Sequence, residues 1–256
     1  MKVVLLAGGR GTRLSEETAV RPKPMVTIGG IPILVHIMRC YAAAGHTDFV
    51  VACGHLGHVI KEYFASYRSR HSDFTLSLST GEIRFHEDHL DDWSVTLVDT
   101  GIDTMTGGRL ARIQDYVGDE TFLMTYGDGL ANIDISQLVD RHRDAGRIAT
   151  VTAVRPPARF GSLVLDATDG VISFEEKISG SESLINGGFF VLEPGVFDYV
   201  GVDTMPFERE PMERLAADGE LNAFRHDGFW KPMDTLRDRM EFESMWASGA
   251  APWIRQ

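Results

Sequence analysis

Short apolar runs at strand spacing alternate along this chain with apolar positions at helical spacing. Val3–Ala7 is a continuous apolar run, as expected of a strand covered on both faces. Ile33, Leu34, Ile37, Met38 and Tyr41 then recur every three or four residues, so the spacing predicts a helix over 31–44. The alternation continues with a strand at 49–53, a helix around Val59–Phe64, strands at 74–78 and 94–98, and a helix carrying Leu110, Ile113 and Tyr116. A strand at 121–125, a helix from Ile135 to His142 and a strand at 148–154 complete the first half. Strands separated by helices argue for an α/β fold, a Rossmann-like, mostly parallel open sheet with helices on both faces. After Pro156 the pattern changes to short strands at 162–165, 171–174 and 187–192, with helices returning at 207–217 and 236–246. The second half therefore reads as a small β-rich insertion added over the carboxyl edge of the sheet. No repeat or linker divides the chain, which reads as one domain over 1–256. Within it, a first part is expected at about 1–130 and a second at about 131–256.

Charge narrows the choice of ligand. The 256 residues carry 25 Lys+Arg against 37 Asp+Glu, a net charge of −12. Such a chain gains no counterion-release attraction to nucleic acid or to an anionic membrane, so neither is expected as a partner. Cationic side chains cluster nonetheless at Arg10, Arg13, Arg21 and Lys23. Two cysteines, Cys40 and Cys53, make no disulfide framework, and no secretory leader or membrane span is evident, so a cytoplasmic protein is expected.

The cationic cluster surrounds three glycines. Gly8, Gly9 and Gly11 follow the first strand, with Thr12 and Arg13 next, and Lys23 stands between Pro22 and Pro24. Glycine lets the backbone approach a ligand with its N–H groups turned inward, and flanking cations suit a polyphosphate. The loop lacks the third glycine of a dinucleotide-binding fingerprint, where Leu14 stands, and the Gly-Lys-Ser/Thr end of a Walker loop. Asp128, inside Tyr-Gly-Asp-Gly, follows an apolar strand and falls at the sheet edge where ligands bind in such folds. It is a candidate metal ligand, although Gly-Asp-Gly is also ordinary turn chemistry. Asp234, in Lys-Pro-Met-Asp-Thr, precedes the last helix, where an N-cap is the plainer reading. The nine histidines show no zinc spacing.

The two blocks LAGGRGTRL (6–14) and RPKPM (21–25) together resemble the signature of the sugar-1-phosphate nucleotidylyltransferases. Similar stretches continue along the chain at VTLVDTGIDTMTGGR (95–109), YGDG (126–129), FEEK (174–177), NGGFFVL (186–192) and HDGFWKPMDTLR (226–237). The 95–109 block is most like the cytidylyl-transferring branch. The resemblance implies transfer of a cytidylyl group from CTP to α-D-glucose 1-phosphate, with Mg²⁺ as cofactor and a homo-oligomer as the working form. The product, CDP-glucose, would feed deoxysugar synthesis for a surface polysaccharide or a secondary metabolite.

The resemblance also assigns residues. Leu6, Ala7, Gly8, Gly9, Gly11, Thr12, Arg13, Lys23, Thr104, Arg109 and Gly127 would bind the nucleotide, with Thr104, Arg109 and Gly127 near the base. Arg13, Lys23 and Asp128 would be catalytic, and Asp128 with Asp234 would hold the metal. Glu175, Lys177, Asn186 and Gly187 would bind the sugar phosphate. Ile178 stands where the family has proline after that lysine, which leaves the local loop less fixed. Three alternatives stay open: UTP or dTTP as donor, another hexose 1-phosphate, or a noncatalytic nucleotide-sugar-binding protein.

Overall fold

The computed structural model describes residues 1–11, 14, 18, 20–86, 90–156 and 184–254, together with the backbone of 162–165 and 171–175. Its centre is a seven-stranded sheet. In chain order the strands are β1 (Val3–Leu6), β2 (Asp48–Cys53), β3 (Ser94–Asp99), β4 (Phe122–Tyr126), β5 (Ala149–Val154), β6 (Ile185–Leu192) and β7 (Leu221–His226). Across the sheet they run β7-β5-β6-β4-β1-β2-β3. All neighbours are parallel except β6, which lies antiparallel between β4 and β5. The mostly parallel open sheet predicted from the alternation is therefore present.

Both faces are covered. Val3, Leu5, Phe49, Val51 and Leu123 on one face pack with Ile33, Leu34, Ile37 and Met38 of helix Ile33–Ala42 and Phe242 of helix Leu236–Ala247. Val4, Leu6, Val50, Phe122 and Met124 point the other way, onto Leu110, Phe207 and Leu215. Successive strand residues feed opposite cores, which explains the uninterrupted apolar runs. Trp253 is buried and donates through Nε1 to His36 Nδ1 at 3.3 Å, so His36 donates through Nε2 to the Ile28 carbonyl at 3.0 Å. The C-terminal aromatics thus cap the first core.

The second half departs from the expected insertion in one respect. The 162–165 and 171–175 strands form a separate hairpin, but the NGGFFVL segment joins the main sheet as β6. The strand β7, absent from the sequence reading, also joins it. Hydrophobic pattern cannot tell an added hairpin from an antiparallel strand in the main sheet, because both are short apolar runs. The 74–78 strand is likewise one arm of an exposed hairpin, Phe74–Leu76 with Ile83–Phe85.

The order of strands fixes where a ligand goes. The parallel register aligns Leu6 with Ala52 and with Tyr126, so the loops after β1, β2, β3 and β4 open on one edge. In open α/β sheets that carboxyl edge is the binding crevice.

Candidate active site

Two cavities open on that edge. The larger, about 420 Å³, is lined by the glycine loop, Lys23, Thr104–Thr106, Arg109, Tyr126–Asp128, Glu208 and Asp234. The smaller, about 250 Å³, is lined by Asn186, Gly187, Trp230 and Pro232 and shares Tyr126, Asp128 and Asp234 with the first. The two spaces meet at the carboxylates.

Local sequence brings those carboxylates together. Residues Gly129–Ala131 pair antiparallel with Trp230–Pro232, placing Gly129 opposite Pro232. The Met233 N–H donates to the Asp128 carbonyl at 2.9 Å. Asp128 and Asp234 therefore flank one end of a small two-stranded ribbon, although they are 106 positions apart in the chain. Asp234 is not the N-cap of the last helix. Thr235 is the cap, in a capping box with Asp238, which leaves the Asp234 side chain to face the cleft.

Lys23 sits between the two. Its Nζ donates to Asp128 Oδ2 at 2.7 Å and to Asp234 Oδ1 at 2.8 Å, and it is 9% exposed. Burial favours the neutral amine, but the two carboxylates outweigh it, and the Lys23 pKa lies above the ordinary lysine value. Pro22 and Pro24 bracket the lysine in a 3-10 turn, Lys23–Met25. Pro24 packs so closely on Gly127 that a β-carbon there would lie 2.9 Å from its Cγ, which ties the lysine turn to the aspartate loop.

The same geometry tests a metal. Two carboxylates from different segments converge on one cation, here the ammonium of Lys23, within two hydrogen-bond lengths of each other. That donor set is all oxygen and small. It fits a hard divalent ion that takes one or two protein carboxylates and completes its shell with phosphate and water. Among the described residues no group of three or more His, Cys, Asp or Glu could hold a metal by itself, so substrate oxygens would have to complete such a site.

Arg109 occupies a place its sequence context did not foretell. It is 3% exposed, and Nη1 donates to Thr100 Oγ1 (2.6 Å), the Gly101 carbonyl (2.8 Å) and the Cys53 carbonyl (3.1 Å). Its Nη2 donates to the Gly8 carbonyl at 2.9 Å. The guanidinium thus clamps the loops after β1, β2 and β3 together on the wall of the larger cavity. Burial pulls its pKa below the ordinary arginine value. The clamp also explains Gly8, where a β-carbon would stand 2.1 Å from Arg109 Nη1. Among the described residues no acceptor takes the N–H of Gly8, Gly9 or Gly11.

The other expected residues fall as follows. Leu6, Ala7, Thr104 and Gly127 line the larger cavity, and Arg10 pairs with Asp103 at 2.6 Å across its exposed rim. Asn186 and Gly187 line the smaller one, at a bulge where β6 slips against β5. Gly188 and Phe189 there take φ of +73° and +52°, and a left-handed phenylalanine is a local strain of the kind found beside binding sites. Thr12, Arg13 and Lys177 lie outside the described residues, as does the side chain of Glu175, whose backbone ends the strand Val171–Glu175. Sequence reasoning missed Tyr126, Glu208 and Trp230. Tyr126 receives a bond from Asn186 Nδ2 at 3.2 Å, and Trp230 donates to the Gly187 carbonyl at 2.6 Å. Tyr126 and Trp230 stood inside quoted motifs, whereas nothing in the spacing marked Glu208.

A doubly wound α/β sheet, a glycine loop with open N–H groups and a lysine-bridged carboxylate pair define a nucleotide-dependent transferase. The chain belongs to the nucleotidyl transferase family, whose model matches residues 2–241. It is 54% identical over 254 residues to the glucose-1-phosphate cytidylyltransferase of Salmonella typhi, covering 99% of this chain and 98% of that one. The enzyme of the same name from Salmonella typhimurium matches with the same identity and coverage. Among solved structures, HddC from Yersinia pseudotuberculosis superposes with a TM-score of 0.69 at 22% identity, covering 96% of this chain and 99% of that one, which shows the shared fold. The chain is a nucleotidyltransferase enzyme, and members of its family typically work with a divalent metal. No helix among the described residues is long and apolar enough to cross a membrane.

Proposed function

We propose that the cleft transfers a cytidylyl group from CTP to α-D-glucose 1-phosphate, giving CDP-glucose and pyrophosphate. The observation that carries this reading is the meeting of two cavities at Lys23, Asp128 and Asp234, with the relatives' activity supplying the substrates. The triphosphate belongs against the N–H groups of Gly8, Gly9 and Gly11, and the sugar phosphate in the space beside Asn186 and Gly187. A phosphate oxygen of the sugar then attacks the α-phosphorus in line, opposite the departing pyrophosphate. The nucleophile is already an anion, so the site needs no general base, and positioning with charge neutralisation supplies the catalysis.

Each residue has a task in this scheme. Two of the three Lys23 N–H donors hold the carboxylates, and the third serves an α-phosphate oxygen. Asp128 and Asp234 would hold a divalent ion, assigned as Mg²⁺, which would supply charge neutralisation on the α-phosphate. Arg13, with Thr12, serves the leaving pyrophosphate. Lys177 and Glu175 complete the sugar-phosphate side. We place the protein in the cytoplasm as a homo-oligomer. The exposed apolar side chains Phe74, Leu76, Leu78 and Ile83 on one projecting hairpin favour such association.

Two measurements test the scheme. With glucose 1-phosphate and Mg²⁺, pyrophosphate release should be at least about tenfold more efficient from CTP than from UTP or dTTP. Faster turnover of either competitor would overturn the assignment of the base. Lys177→Ala should raise the KM for glucose 1-phosphate by roughly tenfold or more, the loss of a charge-assisted contact, with a smaller change in the KM for CTP. An unchanged sugar-phosphate KM removes Lys177 from that pocket.

A further inference from the structure

The larger cavity holds a third carboxylate that the catalytic scheme leaves unused. Asp128 and Asp234 share the single positive charge of Lys23, whereas Glu208 receives a hydroxyl instead. Thr106 Oγ1 donates to Glu208 Oε2 at 2.7 Å and itself accepts from the Phe207 N–H at 2.8 Å, so its one proton is committed to the carboxylate. The Tyr126 hydroxyl accepts from Asn186 Nδ2 at 3.2 Å and shares the cavity wall with Glu208; burial, with the Glu208 charge nearby, raises the Tyr126 pKa. Among the described residues no lysine or arginine pairs with Glu208.

The position of this carboxylate is built in. The segment before it is pinned to the helix Thr106–Arg112: the Met105 N–H donates to the Asp203 carbonyl at 2.7 Å and the Gly107 N–H to the Met205 carbonyl at 2.9 Å. Arg112 grips both Asp203 oxygens at 2.5 and 2.9 Å. A β-carbon on Gly107 would lie 2.7 Å from the Met205 carbonyl oxygen, and one on Gly108 2.6 Å from Asp203 Cα. The paired glycines of the TMTGGR block thus serve to dock 203–207, and with it Glu208, on the cavity wall.

A carboxylate with no described lysine or arginine paired to it repels phosphate and accepts from neutral donors. We infer that Glu208 is a specificity-determining residue that accepts a hydrogen bond from a neutral donor on the nucleoside half of CTP. That donor is the exocyclic amine of cytosine or the ribose 2′-hydroxyl. Uracil and thymine present a carbonyl oxygen where cytosine has its amine, and a carboxylate facing it would reject them. This inference rests on the CTP reading above and gives it a physical basis.

The test is steady-state kinetics of the wild type, Glu208→Gln and Thr106→Val on CTP, UTP and 2′-deoxy-CTP. Glutamine keeps the shape but can donate as well as accept, and valine removes the hydroxyl that holds the carboxylate. If the amine is the partner, E208Q lowers the CTP/UTP ratio of kcat/KM about tenfold and leaves the CTP/deoxy-CTP ratio alone. If a ribose 2′-hydroxyl is the partner, the CTP/deoxy-CTP ratio falls instead. Thr106→Val should move the same ratio in the same direction by less. A purely structural Glu208 would slow all three nucleotides alike, and unchanged ratios overturn the inference. A wild type that fails to use CTP overturns the functional reading itself, a result separable from the first.

Discussion

Replacing Lys23 by methionine is expected to lower kcat by about 10²–10³-fold, the usual cost of removing one preorganised donor at the reacting centre. The lysine holds Asp128 and Asp234 with two N–H groups, and in the proposed scheme its third serves the phosphate, so its loss would act twice. The two carboxylates would then face each other without a cation in a half-buried site. Asp128 keeps a third of its side-chain surface in water, so the stability cost should stay at roughly 1–3 kcal/mol, below that of a fully buried broken pair. Asp128→Asn should cut turnover by a similar order and raise the divalent-ion concentration needed for half-maximal rate. Both variants should keep their circular dichroism spectrum. Near wild-type turnover in both would show that the chemistry lies elsewhere.

Arg109→Met should fail differently. The side chain fits the helix, but the links to Gly8, Cys53, Thr100 and Gly101 disappear. Buried carbonyls lose a charged donor, and a void opens where the guanidinium lay. Together these should cost roughly 3–5 kcal/mol, seen as a fall in Tm of about ten degrees. The glycine loop, no longer clamped to the loops after β2 and β3, should bind nucleotide more weakly. The KM for CTP should therefore rise more than kcat falls. Arg109→Lys should recover only part of the loss, because an ammonium cannot reach three loops at once as the planar fork does. A stable R109M protein with an unchanged nucleotide KM would show that the clamp is not needed.

Much of the site was readable before any coordinates because its signals are local. Three glycines after an apolar strand, a lysine between prolines and an aspartate between glycines each describe a backbone conformation within a few residues. Those conformations are found where expected, at the carboxyl edge of the sheet. Asp234 was harder, since an aspartate before a helix is ordinarily its cap. Only the capping box at Thr235 and Asp238 shows that the cap is already filled.

The alternation of strand and helix, the glycine loop after the first strand and the family were legible in the amino-acid sequence. These follow from periodicity and backbone geometry, which are properties of neighbours in the chain. Three further features needed the folded chain: Arg109 clamping loops, NGGFFVL entering the main sheet, and Glu208 standing in the larger cavity. Each depends on contacts between residues distant in sequence, such as Arg109 with Gly8 or Thr106 with Glu208. A buried arginine or a lone glutamate looks the same in a sequence whether it meets a ligand or a carbonyl. The partner is chosen by packing, which becomes visible only once the chain has folded.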